Sequence, residues 1–222
     1  MKKRTIVFDL DGTLVDTADD LVRSTEHALS TIGIKVTNRK VLRPAVSRGA
    51  RGLIERGLNG AGSTLPDAEI EKLVTIFLAH YNDNIAVDSR PYAGAGEALQ
   101  ALKSAGARLA VCTNKREALS RKLLRQLHLH DMFDAIVGRD TLPVHKPDPG
   151  HLIGTVILAD GDLGRSVLVG DSDVDIETAR SASLPVIGVS FGYTDVPIHD
   201  LAPDVIIDHY SELAGAIRKV LP

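Results

Sequence analysis

Short apolar runs punctuate this chain at Thr5–Leu10, Arg108–Thr113, Ala135–Val137, Ser166–Gly170, Pro185–Val189 and Val205–Ile207. Such runs are too short for helices, and their Val and Ile content predicts strands buried on both faces. Between most of them apolar residues return at helical spacing. Ala95, Ala98, Leu99 and Leu102 share one stripe; Leu119, Leu123, Leu124 and Leu127 share another; Leu213, Ile217 and Val220 share a third. Strand and helix therefore alternate from about residue 90 to the end. That alternation predicts an α/β fold, a Rossmann-like parallel sheet with helices on both faces.

The alternation stops after the first run. Residues 15–88 hold no convincing strand. Leu21, Val22, Thr25, Ala28, Leu29 and Ile32 fit one helical stripe, and Ile70, Leu73, Val74, Phe77, Leu78 and Tyr81 fit a second. Between them Val41–Leu58 is broken by Pro44, Gly49, Gly52 and Gly57, which predicts short helices there. A purely helical block inside an α/β chain reads as an inserted α-helical cap domain. The expected division is a catalytic core of residues 1–14 and 90–222 and a cap of residues 15–89, with hinges at Leu14–Ala18 and Asp88–Gly94.

Composition narrows the class. The chain has 222 residues, 44% of them hydrophobic, enough for a sizeable core. Its net charge of −3 and lack of a long basic run argue against a nucleic-acid surface, which depends on neutralising phosphates. Cys112 is the only cysteine, so no intrachain disulfide can form, which suits a reducing cytoplasm. The start Met1-Lys2-Lys3-Arg4 is basic, but Asp9 and Asp11 interrupt the apolar run behind it, so it fails as a signal peptide. No segment approaches the roughly 20 apolar residues of a membrane span. A cytoplasmic protein with a small-molecule partner, monomeric or homodimeric, is expected.

Ligands of open parallel sheets sit at the carboxyl ends of the strands, so the residues after each strand carry the chemical information. After the first come Asp9, Asp11, Gly12 and Thr13. Alternate residues of a strand face the same side, so the two carboxylates begin together, and Gly12 lets the chain turn away at once. Two such carboxylates suit a hard cation, or a nucleophile beside a proton donor. After the second strand come Thr113, Asn114 and Lys115. His145-Lys146-Pro147-Asp148-Pro149 precedes the helix that follows the third, and Gly170-Asp171-Ser172-Asp173-Val174-Asp175 follows the fourth. Carboxylates, a hydroxyl and a lysine thus converge on one sheet edge.

These stations, in this order, resemble the haloacid dehalogenase superfamily: Asp-x-Asp-Gly-Thr, a Thr after the second strand, a Lys before Pro, and Gly-Asp-x-x-x-Asp. Thr113-Asn114-Lys115, Lys146-Pro147-Asp148-Pro149 and Val46-Ser47-Arg48-Gly49-Ala50-Arg51 look most like its phosphoglycolate phosphatases. The resemblance implies Mg²⁺-dependent hydrolysis of a small phosphomonoester, most of all 2-phosphoglycolate, through an aspartyl-phosphate. Asp9 is then the nucleophile. Asp11 is the acid–base, meeting the metal through its backbone carbonyl, and Asp171 is the further metal ligand. Lys146 supplies the positive charge a transferring phosphoryl group requires, and Thr113 donates its hydroxyl to a phosphate oxygen, supported by Asn114. Gly12, Thr13 and Lys115 complete the phosphate-binding set. Asp175, one helical turn after Asp171, either meets the metal through water or, the favoured reading, holds Lys146, and Ser172 is expected to orient Asp171 or a metal-bound water. Arg48, Gly49 and Arg51 are the cap residues expected to read the substrate carboxylate.

Other readings remain at this stage. The same core serves sugar-phosphate phosphatases and phosphomutases, and a non-catalytic phosphate-binding module would keep much of it. A dehalogenase has no use for Asp11, since a departing halide takes no proton. Asp16 and Asp173 read as helix caps, Cys112 as a buried strand residue, and His128, His130 and Asp131 as an ordinary turn after a helix.

Overall fold

The computed structural model describes residues 3–221, so Met1 and Lys2 of the basic start lie outside the described residues. The chain divides into two compact units, one running to Asp16 and resuming at Pro91, the other spanning Thr17–Arg90.

The first unit is built on a six-stranded sheet of order β5-β4-β1-β6-β7-β8, with β1 at Thr5–Phe8, β4 at Arg108–Cys112, β5 at Ala135–Val137, β6 at Ser166–Gly170, β7 at Val186–Val189 and β8 at Val205–Ile207. Every neighbouring pair is parallel. Two further strands, β2 (Val15–Asp16) and β3 (Arg90–Pro91), are two residues long and stand where the chain passes between units; β2 falls in the stretch, residues 15–88, expected to be strand-free. Val7 lies between Ala110 and Leu168 in register. That row continues into Cys112, Leu152, Val156, Ile176 and Ala179, which form one buried cluster. The helices α6 (Pro149–Leu158) and α7 (Asp173–Ser181) therefore cover one face, touching each other and strands β4, β6 and β7. On the other face α4 (Ala95–Ser104) and α8 (Leu213–Val220) pack together, while α5 (Glu117–Gln126) lies against β5. Ile6 and Phe8 alternate with Val7, and all three are fully buried, which explains why the strand reads as an unbroken apolar run.

The first strand ends at Phe8, two residues before its expected limit. Asp9 N still donates to Val169 O at 2.9 Å, but Leu10 O then accepts from Leu14 N and Val15 N, and the chain has left the sheet. The apolar pattern overruns the strand because Leu10 is buried in the turn itself.

The second unit consists of helices α1 (Ala18–Ser30), α2 (Gly49–Gly60) and α3 (Asp67–Asp83), each touching the other two. Its core is made by Leu21, Val22, Leu29, Leu53, Ile54, Leu58, Leu73 and Phe77. The buried Asp20 carboxylate ties the first helix to the last residues of the unit, accepting from Ser89 N at 2.8 Å and Ser89 Oγ at 2.6 Å. Two expectations fail here. Gly52 and Gly57 do not break the segment into short helices, because α2 runs through both. At Gly57 the reason is close packing: a Cβ there would lie 2.5 Å from Leu29 Cδ1. Asp16 does not cap α1 either. Thr17 holds that position, and Asp16 instead accepts from the Tyr193 hydroxyl. Among the described residues no helix is long and apolar enough to cross a membrane.

Candidate active site

The carboxyl ends of β1, β4 and β6 lie side by side, and the chain leaves each in a loop. From the first, Asp9 projects into a buried cluster with Asp171 and Asp175, whose ligand oxygens all lie within 4.8 Å of one another. Lys146 enters from the loop before α6 and is 3% exposed. Its Nζ donates to Asp9 Oδ1 at 2.8 Å and to Asp175 Oδ1 at 2.6 Å. The loop that carries it is held by Asn114, whose Nδ2 donates to Lys146 O at 2.9 Å. Asp148 then starts α6 by accepting from Gly150 N at 2.8 Å, with Pro149 already fitted to the first turn.

Asp171 is completely buried, and Thr13 Oγ1 donates to its Oδ1 at 2.9 Å. Tyr193 N donates to Oδ2 at 2.7 Å. Gly12 makes this approach possible. Its φ is +88°, and a Cβ there would stand 2.4 Å from Asp171 Oδ2. Thr13 is itself pinned from behind, since Tyr210 Oη donates to its carbonyl at 2.8 Å.

Asp175 accepts from Ser172 N at 3.1 Å and Ser172 Oγ at 2.7 Å through Oδ2, leaving Oδ1 to Lys146. Ser172 therefore serves Asp175, where orienting Asp171 or a metal-bound water was expected. It is also the N-cap of α7, the place foreseen for Asp173, which sits one residue on and exposed. A serine fits that place because its hydroxyl and backbone amide both reach the carboxylate three residues later.

Charge in the cluster is unbalanced. Burial pushes the Asp9 carboxyl up to about 6, although Lys146 pulls the other way. Burial raises Asp171 well above the usual carboxylate range, with the charges of Asp175 and Asp9 adding to the effect. Burial by itself would lower Lys146, but the Asp175 and Asp9 carboxylates outweigh it and hold the ammonium charged. Three buried carboxylates against one lysine are an environment that a cation relieves.

Thr113 directly follows β4 and is buried; its Oγ1 accepts from Lys115 N at 3.2 Å, which keeps its own proton available for donation. Lys115 turns back to Asp11, giving Nζ–Oδ distances of 2.8 and 2.7 Å. Asp9, Asp11, Gly12, Thr13, Thr113, Asn114, Lys115, Lys146, Asp171, Ser172 and Asp175 are thus gathered in the α/β unit. Arg48, Gly49 and Arg51 belong to the helical unit. Arg48 is exposed at the start of α2, where Gly49 has a φ of +71°. Arg51 is engaged by acids of its own unit, Glu55 at 2.8 Å, Glu71 at 2.6 Å and Asp67.

Sequence reasoning missed Gly192 and Tyr193. A Cβ on Gly192 would fall 2.1 Å from Asp171 Cβ. The signal was present, because the pair closely follows β7 and so sits at the same sheet edge as the other stations. His128, His130 and Asp131 form a surface turn, His130 Nδ1 lying 2.9 Å from Asp131. Cys112 is buried, and burial pushes its thiol up to about 12, too high for a reactive thiolate.

Comparison with known proteins supplies the family. The family model of haloacid dehalogenase-like hydrolases matches residues 6–189. A phosphoglycolate phosphatase of Agrobacterium fabrum is 47% identical over 215 residues, covering 97% of this chain and 92% of its own. One from Mesorhizobium japonicum is 45% identical over 221 residues, covering 100% and 97%. The crystal structure of a predicted phosphoglycolate phosphatase from Haemophilus somnus matches with a TM-score of 0.89 at 30% identity, over 97% of this chain and 98% of that one.

Proposed function

The chain belongs to the haloacid dehalogenase-like hydrolases and is a phosphatase, and we propose that it hydrolyses 2-phosphoglycolate to glycolate and phosphate by way of a phosphoryl group carried on Asp9. The observation that supports this most is the meeting of Asp9, Lys146, Asp171 and Asp175 in one buried cluster, with Asp11 and Thr113 on the adjoining loops of the same sheet edge.

In the first step an Asp9 carboxylate oxygen attacks phosphorus. The bond from phosphorus to the alkyl oxygen breaks, its electron pair stays on that oxygen, and Asp11 gives it a proton. In the second, water attacks phosphorus and yields its proton to Asp11, the bond to Asp9 breaks, and inorganic phosphate leaves. Lys146 and Thr113 stabilise the charge on the phosphoryl oxygens in both steps. Asp175 keeps Lys146 aimed at Asp9.

The donor set fits Mg²⁺: all oxygens, three acids within one cluster, and surplus buried negative charge. Asp9, Asp171 and the Asp11 carbonyl would hold the ion. When bound it supplies positive charge to the phosphoryl group and favours the ionised form of Asp9. Arg48 and Gly49 of the helical unit are the candidates for reading the glycolate carboxylate. Arg51 is the weaker candidate, with Glu55, Glu71 and Asp67 already around it. We place the enzyme in the cytoplasm, where its one cysteine remains reduced.

The test is a panel of phosphomonoesters compared by kcat/KM with Mg²⁺ present. Phosphoglycolate should exceed sugar phosphates at least about tenfold, a discrimination worth one well-made contact to the carboxylate. EDTA should abolish turnover and added Mg²⁺ restore it. Preference for a sugar phosphate would refute the substrate; metal-independent hydrolysis would refute the cation site.

A further inference from the structure

Lys115 leaves β4 two residues behind Thr113, and both oxygens of Asp11 accept from its Nζ, at 2.8 and 2.7 Å. The pair is largely shielded from water, the Lys115 side chain being 5% exposed and that of Asp11 15%. Asp11 is absent from the carboxylate cluster of Asp9, Asp171 and Asp175, although it stands only two residues from Asp9. Its carboxylate is turned toward the neighbouring strand's loop instead.

The base from which Lys115 reaches is rigid. Its amide donates to Thr113 Oγ1 at 3.2 Å, and its carbonyl accepts from Arg139 N at 3.0 Å. Gly138 packs against the same turn so tightly that a Cβ there would lie 2.7 Å from Lys115 O and 2.2 Å from Glu117 N. A lysine anchored at its backbone and shielded along its stem presents a fixed donor, and a fixed donor selects one rotamer of the carboxyl it holds.

We infer that Lys115 is a positioning residue for proton transfer: by meeting both oxygens of Asp11 it fixes the carboxyl at the place from which a proton reaches the leaving oxygen. This rests on the role of Asp11 proposed above and replaces the expectation that Lys115 binds substrate. A proton donor held in place spares the reorientation that a free side chain requires before each turnover.

Three substrates separate the alternatives. Phosphoglycolate has an alkoxide leaving group and a carboxylate, ethyl phosphate has the alkoxide alone, and p-nitrophenyl phosphate has neither, since nitrophenolate departs without a proton. For Lys115→Met, kcat/KM should fall about 100-fold on phosphoglycolate and on ethyl phosphate, but no more than about fivefold on p-nitrophenyl phosphate. kcat/KM is the right quantity because it reports the step in which the leaving group departs, before Asp11 serves the attacking water. Adding Lys115→Met to Asp11→Asn should cost little more on phosphoglycolate than Asp11→Asn alone.

A loss confined to phosphoglycolate would make Lys115 a reader of the carboxylate and overturn the inference. So would an equal loss on all three substrates, or independent, multiplying losses in the double variant. Should Lys115→Met fail to fold, Lys115→Arg is read on the same substrates: its displaced fork must give the same ranking by leaving group, and a uniform loss overturns the inference. Wild-type enzyme that hydrolyses ethyl and p-nitrophenyl phosphate but not phosphoglycolate would remove the proposed substrate and leave the test of Lys115 standing.

Discussion

Each unit of this chain holds a cluster of charges, and the two clusters are built in opposite ways. In the α/β unit Lys146 meets Asp9 across 137 residues of sequence and Asp175 across 29, and Thr13 meets Asp171 across 158, all of them buried. In the helical unit Arg51 finds Glu55, Asp67 and Glu71 at separations of 4, 16 and 20 residues, and the side chains involved are substantially exposed. A buried charge costs several kcal/mol even when it is paired, whereas an exposed pair contributes little either way. Stability alone would not assemble the first arrangement, and the proposed chemistry accounts for it. The second is what helices in water do without any instruction from a reaction.

The sharpest way to break this contrast is Asp9→Asn. It preserves shape and the lysine contact while removing the attacking carboxylate, so turnover should drop by at least about 10³-fold with the fold intact by circular dichroism. Turnover within tenfold of wild type in a purified variant would strip the buried cluster of its chemical explanation.

A smaller effect is expected from acid. His151 is fully buried on the α6 face, its Nε2 lying 3.0 Å from Gly138 O and its Nδ1 3.3 Å from Cys112 Sγ. Burial pushes it down from 6.5 to about 4. The unfolded chain therefore binds a proton that the folded chain refuses. Stability from this residue is present above pH 6.5 and is lost as pH falls toward 4, by at most about 3 kcal/mol. Urea melts from pH 7 down to pH 4.5 should show the decline, and His151→Gln should flatten it. An unchanged slope in that variant would assign the acid sensitivity elsewhere.

The smallest effect belongs to the helical unit. Arg51→Ala should change kcat/KM for phosphoglycolate by no more than about twofold, because exposed pairs are replaced by water at little cost. A loss selective for phosphoglycolate over p-nitrophenyl phosphate would instead show Arg51 leaving its acids for the substrate, and the contrast between the units would weaken.

Legibility in the sequence followed the same division. The strands were readable because buried parallel strands are apolar throughout, and Ala135–Val137, Ser166–Gly170 and Val205–Ile207 fell where expected. Asp9, Thr113 and Asp171 were readable because each directly follows a strand whose end lies at the ligand edge, and Lys146 because it stands in the loop before a helix that opens on Pro149. Gly57 was misread: its small size permits the approach of Leu29 from another helix, and nothing local distinguishes that from a helix break. Asp16 was misread for a similar reason, since its partner Tyr193 comes from the far end of the chain.

Local pattern by itself determined which segments became strands or helices, where the helical insertion lies, and which acids and cations stand at strand ends, because periodicity and turn chemistry are properties of neighbouring residues. Only the tertiary structure decided the distant partners: Tyr193 with Asp171, Asn114 with the Lys146 loop and Lys115 with Asp11. A hydrogen bond or ion pair forms within a few ångströms, and strand order, which no single segment encodes, sets which loops come that close.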